Sequence, residues 1–149
     1  MIFGCATLTE EEKEPEEKPE KSVPFEEGTY SGVSYYFSLG NVEKAIEAFK
    51  EASKENPESP ESLVLYSTLQ MAAGRLDAAE GTLTKLMEKD PDNAEGLLNL
   101  SLIEGAKGNE EGEKELLKKA VEKDPENDQV HASLGEVFMR ESKYKEARS

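Results

Sequence analysis

The sequence predicts an all-α chain of stacked helix pairs, and three observations predict it. Prolines stand at positions 57, 91 and 125, 34 residues apart, and two residues after each comes a polar helix starter, Ser59, Asn93 or Asn127. Glycines stand at 40, 74 and 108 on the same spacing, with Ser142 in the fourth place. Between these breakers apolar and small residues recur in register: Tyr66, Leu100 and Leu134, then Ala45 and Ala79, then Phe49, Leu83 and Leu117. Two kinds of breaker sharing one period mark a repeat. Each glycine lies 17 residues before a proline, so every period divides into two stretches long enough for a helix of three to four turns.

Taken in order, the segment 1–25 stands apart from the repeats. From Glu10 to Glu20 it is Glu, Lys and Pro with no apolar residue, so it has no surface whose burial would offset the entropy of ordering it. It reads as an acidic linker, kept extended by like charge and by Pro15 and Pro19. The repeats follow as 26–59, 60–93 and 94–127, with a partial fourth unit at 128–149. In each, glycine closes the first helix because it reaches the left-handed conformation. Proline then marks the end of the second helix, since it disfavours helical geometry in the residue before it, Asn56, Asp90 or Asp124. Asn41 and Asn109 are placed to cap second helices; Ser59, Asn93 and Asn127 are placed to cap first ones. Gly28 and Gly32 are expected to fray the opening helix, each costing about 1 kcal/mol against alanine. In the fourth unit a second helix is expected to start around Tyr144 and Ala147.

The pattern resembles the tetratricopeptide repeat. Leu134-Gly135 followed by Phe138 matches that family's first helix, and Ala45, Phe49, Ala52 and Pro57 match its second. The resemblance covers residues 26 to 149 and implies a right-handed superhelical solenoid of helix-turn-helix repeats that binds other proteins along a concave wall of first helices. Glu110, Glu113 and Lys114 depart from the pattern, standing where the family has aromatic, alanine and apolar residues, so the second helix of the third unit is expected to pack loosely. By the family's register the wall presents Tyr30, Ser34, Phe37, Val64, Thr68, Met71, Leu98 and Leu102, with Met139 and Arg140 at its far end. An apolar strip of this kind suits an amphipathic helix or an extended apolar segment. Co-chaperone members of the family clamp a terminal carboxylate with lysines, asparagines and an arginine. The matching slots here hold Tyr30, Ser34, Leu65, Glu95 and Asn99, none of them basic, so charge-assisted bonds to a carboxylate are not on offer.

The only cysteine, Cys5, follows Ile2-Phe3-Gly4 and precedes Ala6. This resembles a bacterial lipobox, with Ile2, Gly4 and Cys5 matching and Phe3 bulkier than usual. The resemblance implies a diacylglycerol on Cys5, a lipid-anchored place in a bacterial cell envelope, and membrane contact through that lipid alone. The other reading of Cys5 is an incidental thiol in a cytoplasmic adaptor protein.

Composition narrows function further. Over 149 residues the formal net charge is −15 and 36% of residues are apolar. An acidic chain gains nothing from counterion release at phosphate, so nucleic acid is not an expected partner. His131 is the one histidine, with no second ligand at metal spacing and no orienting carboxylate nearby, and its slot is one the family fills with a large packing residue. Asp90, Asp92 and Glu95 surround Pro91 and lack the glycine and further ligands of a calcium loop, so they read as an inter-repeat turn. No enzyme and no cofactor are expected. Phe138 and its neighbours have only Lys143 to Ser149 to cover them. We therefore expect the array to continue beyond this sequence, or two chains to meet at that end.

Overall fold

The computed structural model describes residues 28–148. The expected linker, and with it Cys5, lie outside the described residues. Over residues 28–148 the chain forms seven helices and no strand: α1 (Tyr30–Ser38), α2 (Val42–Ala52), α3 (Pro60–Ala72), α4 (Leu76–Lys89), α5 (Ala94–Ala106), α6 (Glu110–Lys123) and α7 (Asp128–Arg148). Successive helices pair as α1 with α2, α3 with α4 and α5 with α6, and α7 packs on α6. The result is an all-α solenoid.

The breakers act as the sequence implies. Gly40, Gly74 and Gly108 hold φ of 71°, 73° and 81°, and the residue after each donates its N–H back into the helix just ended, as Asn41 does to the Tyr36 carbonyl at 2.9 Å. Asp90 and Asp124, each before a proline, leave helical geometry, with φ of −139° and −136° and ψ of 81° and 85°. Asn41, Ser59, Asn93 and Asn109 accept a backbone N–H of the first turn of α2, α3, α5 and α6, and Asn127 does so for α7. The turn at Asp90 closes on itself, because Asn93 Nδ2 donates to Asp90 Oδ2 at 2.9 Å, and the same bond recurs from Asn127 to Asp124 at 3.2 Å.

Five expectations are corrected. Gly28 precedes α1 with φ 76°, so only Gly32 lies inside that helix. Ser142 does not end a helix: α7 runs unbroken for 21 residues, because serine lacks glycine's left-handed freedom and the residues after it are good helix formers. No second helix starts near Tyr144. His131 is exposed, and its Nε2–H donates to the Pro125 carbonyl at 2.7 Å, although Leu63 and Leu97 in the same slot are buried. Finally, α6 is not loose, since Leu117 and Ala120 are fully buried and Glu113 is 7% exposed.

The core is a chain of three clusters. The first joins Val33, Ala45, Ile46, Phe49 and Leu69, with Phe49 stacked on Tyr66 at 5.1 Å. The second joins Leu63, Ala79, Leu83, Leu86 and Ile103, and the third joins Leu97, Leu98, Leu117, Ala120, Val130 and Val137. Burying each of the larger side chains is worth about 1.5–3 kcal/mol. Every inner first helix contributes to two clusters: α3 to the first and second, α5 to the second and third. Surface ion pairs repeat with the period as well, since Lys89 pairs with Glu58 and, 34 residues on, Lys123 pairs with Asp92.

Candidate partner-binding surface

First helices stand beside one another because polar side chains tie them. Tyr30 Oη and Ser62 Oγ share a hydrogen bond at 3.3 Å, linking α1 to α3. Asn99 Nδ2 donates to Ser67 Oγ and Thr68 Oγ1, both at 3.1 Å, linking α3 to α5. Asn99 and Ser67 are buried, so these bonds satisfy groups that would otherwise carry a desolvation cost.

The wall residues expected from the register fall into three groups. Tyr30, Ser34, Phe37, Leu102 and Met139 are exposed, with Phe37 at 43% and Leu102 at 42%. Val64 and Met71 are half-buried and pack against the second core cluster, and Thr68 donates to the Val64 carbonyl at 3.0 Å while it accepts from Asn99. These three make a floor rather than a contact surface. Leu98 is a correction: at 3% exposure it belongs to the third cluster with Val130 and Val137, because α7 packs where the register alone left open space. Arg140 is also spoken for, pairing with Glu113 and, at 4.0 Å, with Glu110.

Large apolar side chains that remain exposed are distributed unevenly. Among the described residues they are Tyr30, Phe37, Leu39, Leu102, Phe138, Met139 and Tyr144. Apart from Leu39, in the turn after α1, all lie on α1, α5 or α7, and none lies on α2, α4 or α6. Tyr30, Phe37 and Leu102 thus stand on first helices inside the stack, while Phe138, Met139 and Tyr144 stand on the helix that closes the described residues.

Register reasoning missed the seam between α6 and α7. Glu113 takes the slot that Ala45 and Ala79 fill, and it fits because Gly105 takes the slot of Phe37 and Met71. A Cβ on Gly105 would stand 2.7 Å from Glu113 Cδ. The Glu113 carboxylate turns to Arg140, while Lys114 donates to Glu141 Oε1 at 2.5 Å and lies 5.2 Å from the Phe138 ring centre. The bond from Lys114 is the main reason the Glu141 carboxyl titrates below its ordinary value. Its contribution to stability is therefore present above the ordinary carboxylate range and is lost as pH falls through the lowered value. The reasoning also missed a recess of about 570 Å³ lined by Gly28, Thr29, Tyr36, Lys44, Glu47, Ala48, Lys50 and Glu51. It lies along α1 and α2 at the edge of the described residues.

Among the described residues no three His, Cys, Asp or Glu side chains group as metal ligands, and no helix is long and apolar enough to cross a membrane.

Comparison with known proteins agrees with this geometry. Residues 36–100 match a family model described as tetratricopeptide repeat. No curated protein matches the chain. Among solved structures, the Sgt2 TPR domain from Aspergillus fumigatus superposes with a TM-score of 0.68 at 18% identity, over 89% of this chain and 90% of that one. The first TPR of Spaghetti (RPAP3), bound to the HSP90 peptide SRMEEVD, gives 0.63 at 14% identity, over 76% and 90%. A tetratricopeptide repeat protein from Parabacteroides merdae gives 0.66 at 21% identity, over 80% of this chain and 46% of its own length.

Proposed function

Because the chain is a tetratricopeptide repeat protein, we propose that it is a non-catalytic scaffold that holds an apolar or amphipathic segment of another protein against its first helices. The observation that carries this reading is the exposure of Tyr30, Phe37 and Leu102 on first helices, while among the described residues no large apolar side chain is exposed on α2, α4 or α6. Tyr30, Ser34, Phe37 and Leu102 make the contact, over a floor of Val64, Thr68 and Met71. The partner differs in kind from the acidic HSP90 peptide on the RPAP3 domain, because Tyr30, Ser34, Leu65, Glu95 and Asn99 bring no cation to a carboxylate.

A photo-crosslinking amino acid at position 102 or 37 is expected to capture a partner in the native cell. The same group at Thr84, exposed on α4, is expected to capture none. Equal capture from the α4 position would move the site off the wall.

We further propose that the scaffold is held at a bacterial cell envelope by a diacylglycerol on Cys5, with the Glu, Lys and Pro segment as spacer. Two acyl chains, at about 0.8 kcal/mol per buried methylene, suffice for stable anchoring. The product made in a bacterium from its genomic reading frame is expected to enter the detergent phase, and Cys5→Ser to return it to the aqueous phase. Aqueous partitioning of both would favour the cytoplasmic adaptor.

A further inference from the structure

Helix α7 differs from the other helices that open a unit in that, among the described residues, no helix packs on the side where its second helix would lie. In the 34-residue register Gly135 corresponds to Val33, Ser67 and Ser101, which are buried to 3%, 0% and 0% exposure. Gly135 is only partly covered, and a Cβ there would meet nothing within 4 Å. Next to it Phe138 is 44% and Met139 61% exposed. With Ser142, Lys143 and Glu146 these two line a shallow concavity of about 400 Å³. At 100° per residue, Ala132, Gly135, Met139, Ser142 and Glu146 form one stripe directly opposite the buried Val130 and Val137. Small residues on both sides of a large apolar one let a second helix come close.

Charge indicates which helix. The chain carries a net −15, yet α7 balances four acids, Asp128, Glu136, Glu141 and Glu146, against four bases, Arg140, Lys143, Lys145 and Arg148. The bases gather toward its C-terminal end. Arg140 and Glu141 are engaged with Glu113 and Lys114 of α6, whereas Glu136 and Lys143 are exposed on one flank of the stripe. A two-fold axis preserves the flank while reversing helix direction. If two copies of α7 cross antiparallel at Met139, Lys143 of each comes level with the other's Gly135, one residue from Glu136. The patch is thus complementary to itself, which an isologous contact requires, and it lies on a helix with no net charge.

We propose that the open face of α7 is the docking face for α7 of a second copy of this chain, antiparallel, with Met139 on the two-fold axis and Lys143 facing Glu136 across it. The pairing uses the slot a second helix would fill. The contact belongs at the low end of interface sizes, about 1,200 Å² or less, the class of weak and transient encounters.

Sedimentation of the full chain from about 5 to about 300 μM, a range that brackets an interface of this size, tests the proposal. The chain is expected to pass from monomer to dimer across it. Met139→Glu, at a side chain 61% exposed, is expected to remain monomeric throughout with unchanged helix content. Lys143→Glu is expected to weaken association about tenfold, from the two symmetry-related charge pairs it opposes, and Glu136→Lys in the same chain to restore it. Only a contact between copies allows that rescue. A monomer at every concentration would leave the face to a helix of some other protein and overturn the proposal. So would a dimer indifferent to Met139→Glu, or a double variant weaker than either single one.

Discussion

Leu98→Glu is expected to unfold the chain from its third helix pair rather than to leave a folded protein with an altered groove. Leu98 is 3% exposed among Leu97, Leu117, Ala120, Val130 and Val137. The change removes about 1.5–3 kcal/mol of apolar burial and puts a carboxylate among buried apolar side chains, a combination that exceeds about 4 kcal/mol. Domains of this size have only about 5–15 kcal/mol in total. Leu102→Glu, one turn along the same helix and 42% exposed, should shift the urea midpoint little. Circular dichroism across a urea series separates the two, and a Leu98→Glu protein with the original midpoint would return that residue to the wall.

The second large effect is expected at the pair Gly105 and Glu113. Glu113→Ala should cost about 1–3 kcal/mol, because it empties the space above Gly105 and removes the Arg140 partner. Gly105→Met alone should cost a similar amount, since even its Cβ would stand 2.7 Å from a carboxylate held by Arg140. Together the two changes recreate the combination of Met71 with Ala79, already packed in the second cluster, and they replace a helical glycine, worth about 1 kcal/mol. The double variant is therefore expected at or above the original stability. A double-mutant cycle in urea measures the coupling, and simple additivity would show that the two residues do not share one space.

These two cases also show what the sequence made legible. Helix ends, pairing and period were readable because they are set by backbone chemistry local to a few residues: glycine for a positive φ, proline after a non-helical residue, Asn or Ser at a cap. Burial was less readable because it depends on what stands opposite. Tyr30, Val64 and Leu98 share one register slot, yet they are exposed, half-buried and buried in turn. Ser142 was read as a break because its slot is otherwise glycine, but the slot matters only through left-handed φ, which serine rarely adopts. Glu113 looked like a defect when read alone. Its signal was in the sequence all along, as a small residue at 105 matched with a large one at 113, and finding it required reading the two helices against each other.

The chain of clusters has a mechanical meaning. The second and third clusters are joined by α5 and also by Met87, which packs against both, whereas the first and second are joined through α3 alone. Apolar packing along the solenoid is therefore shared by two links at one step and carried by α3 at the other, where only the exposed Arg75–Glu43 ion pair at 2.8 Å adds a tie between α2 and the start of α4. Any pull transmitted through residues 1–27 enters at α1, on the weaker side of that single link. The first helix pair is then the part that peels, and it acts as a fuse that yields while the two units behind it keep their shape.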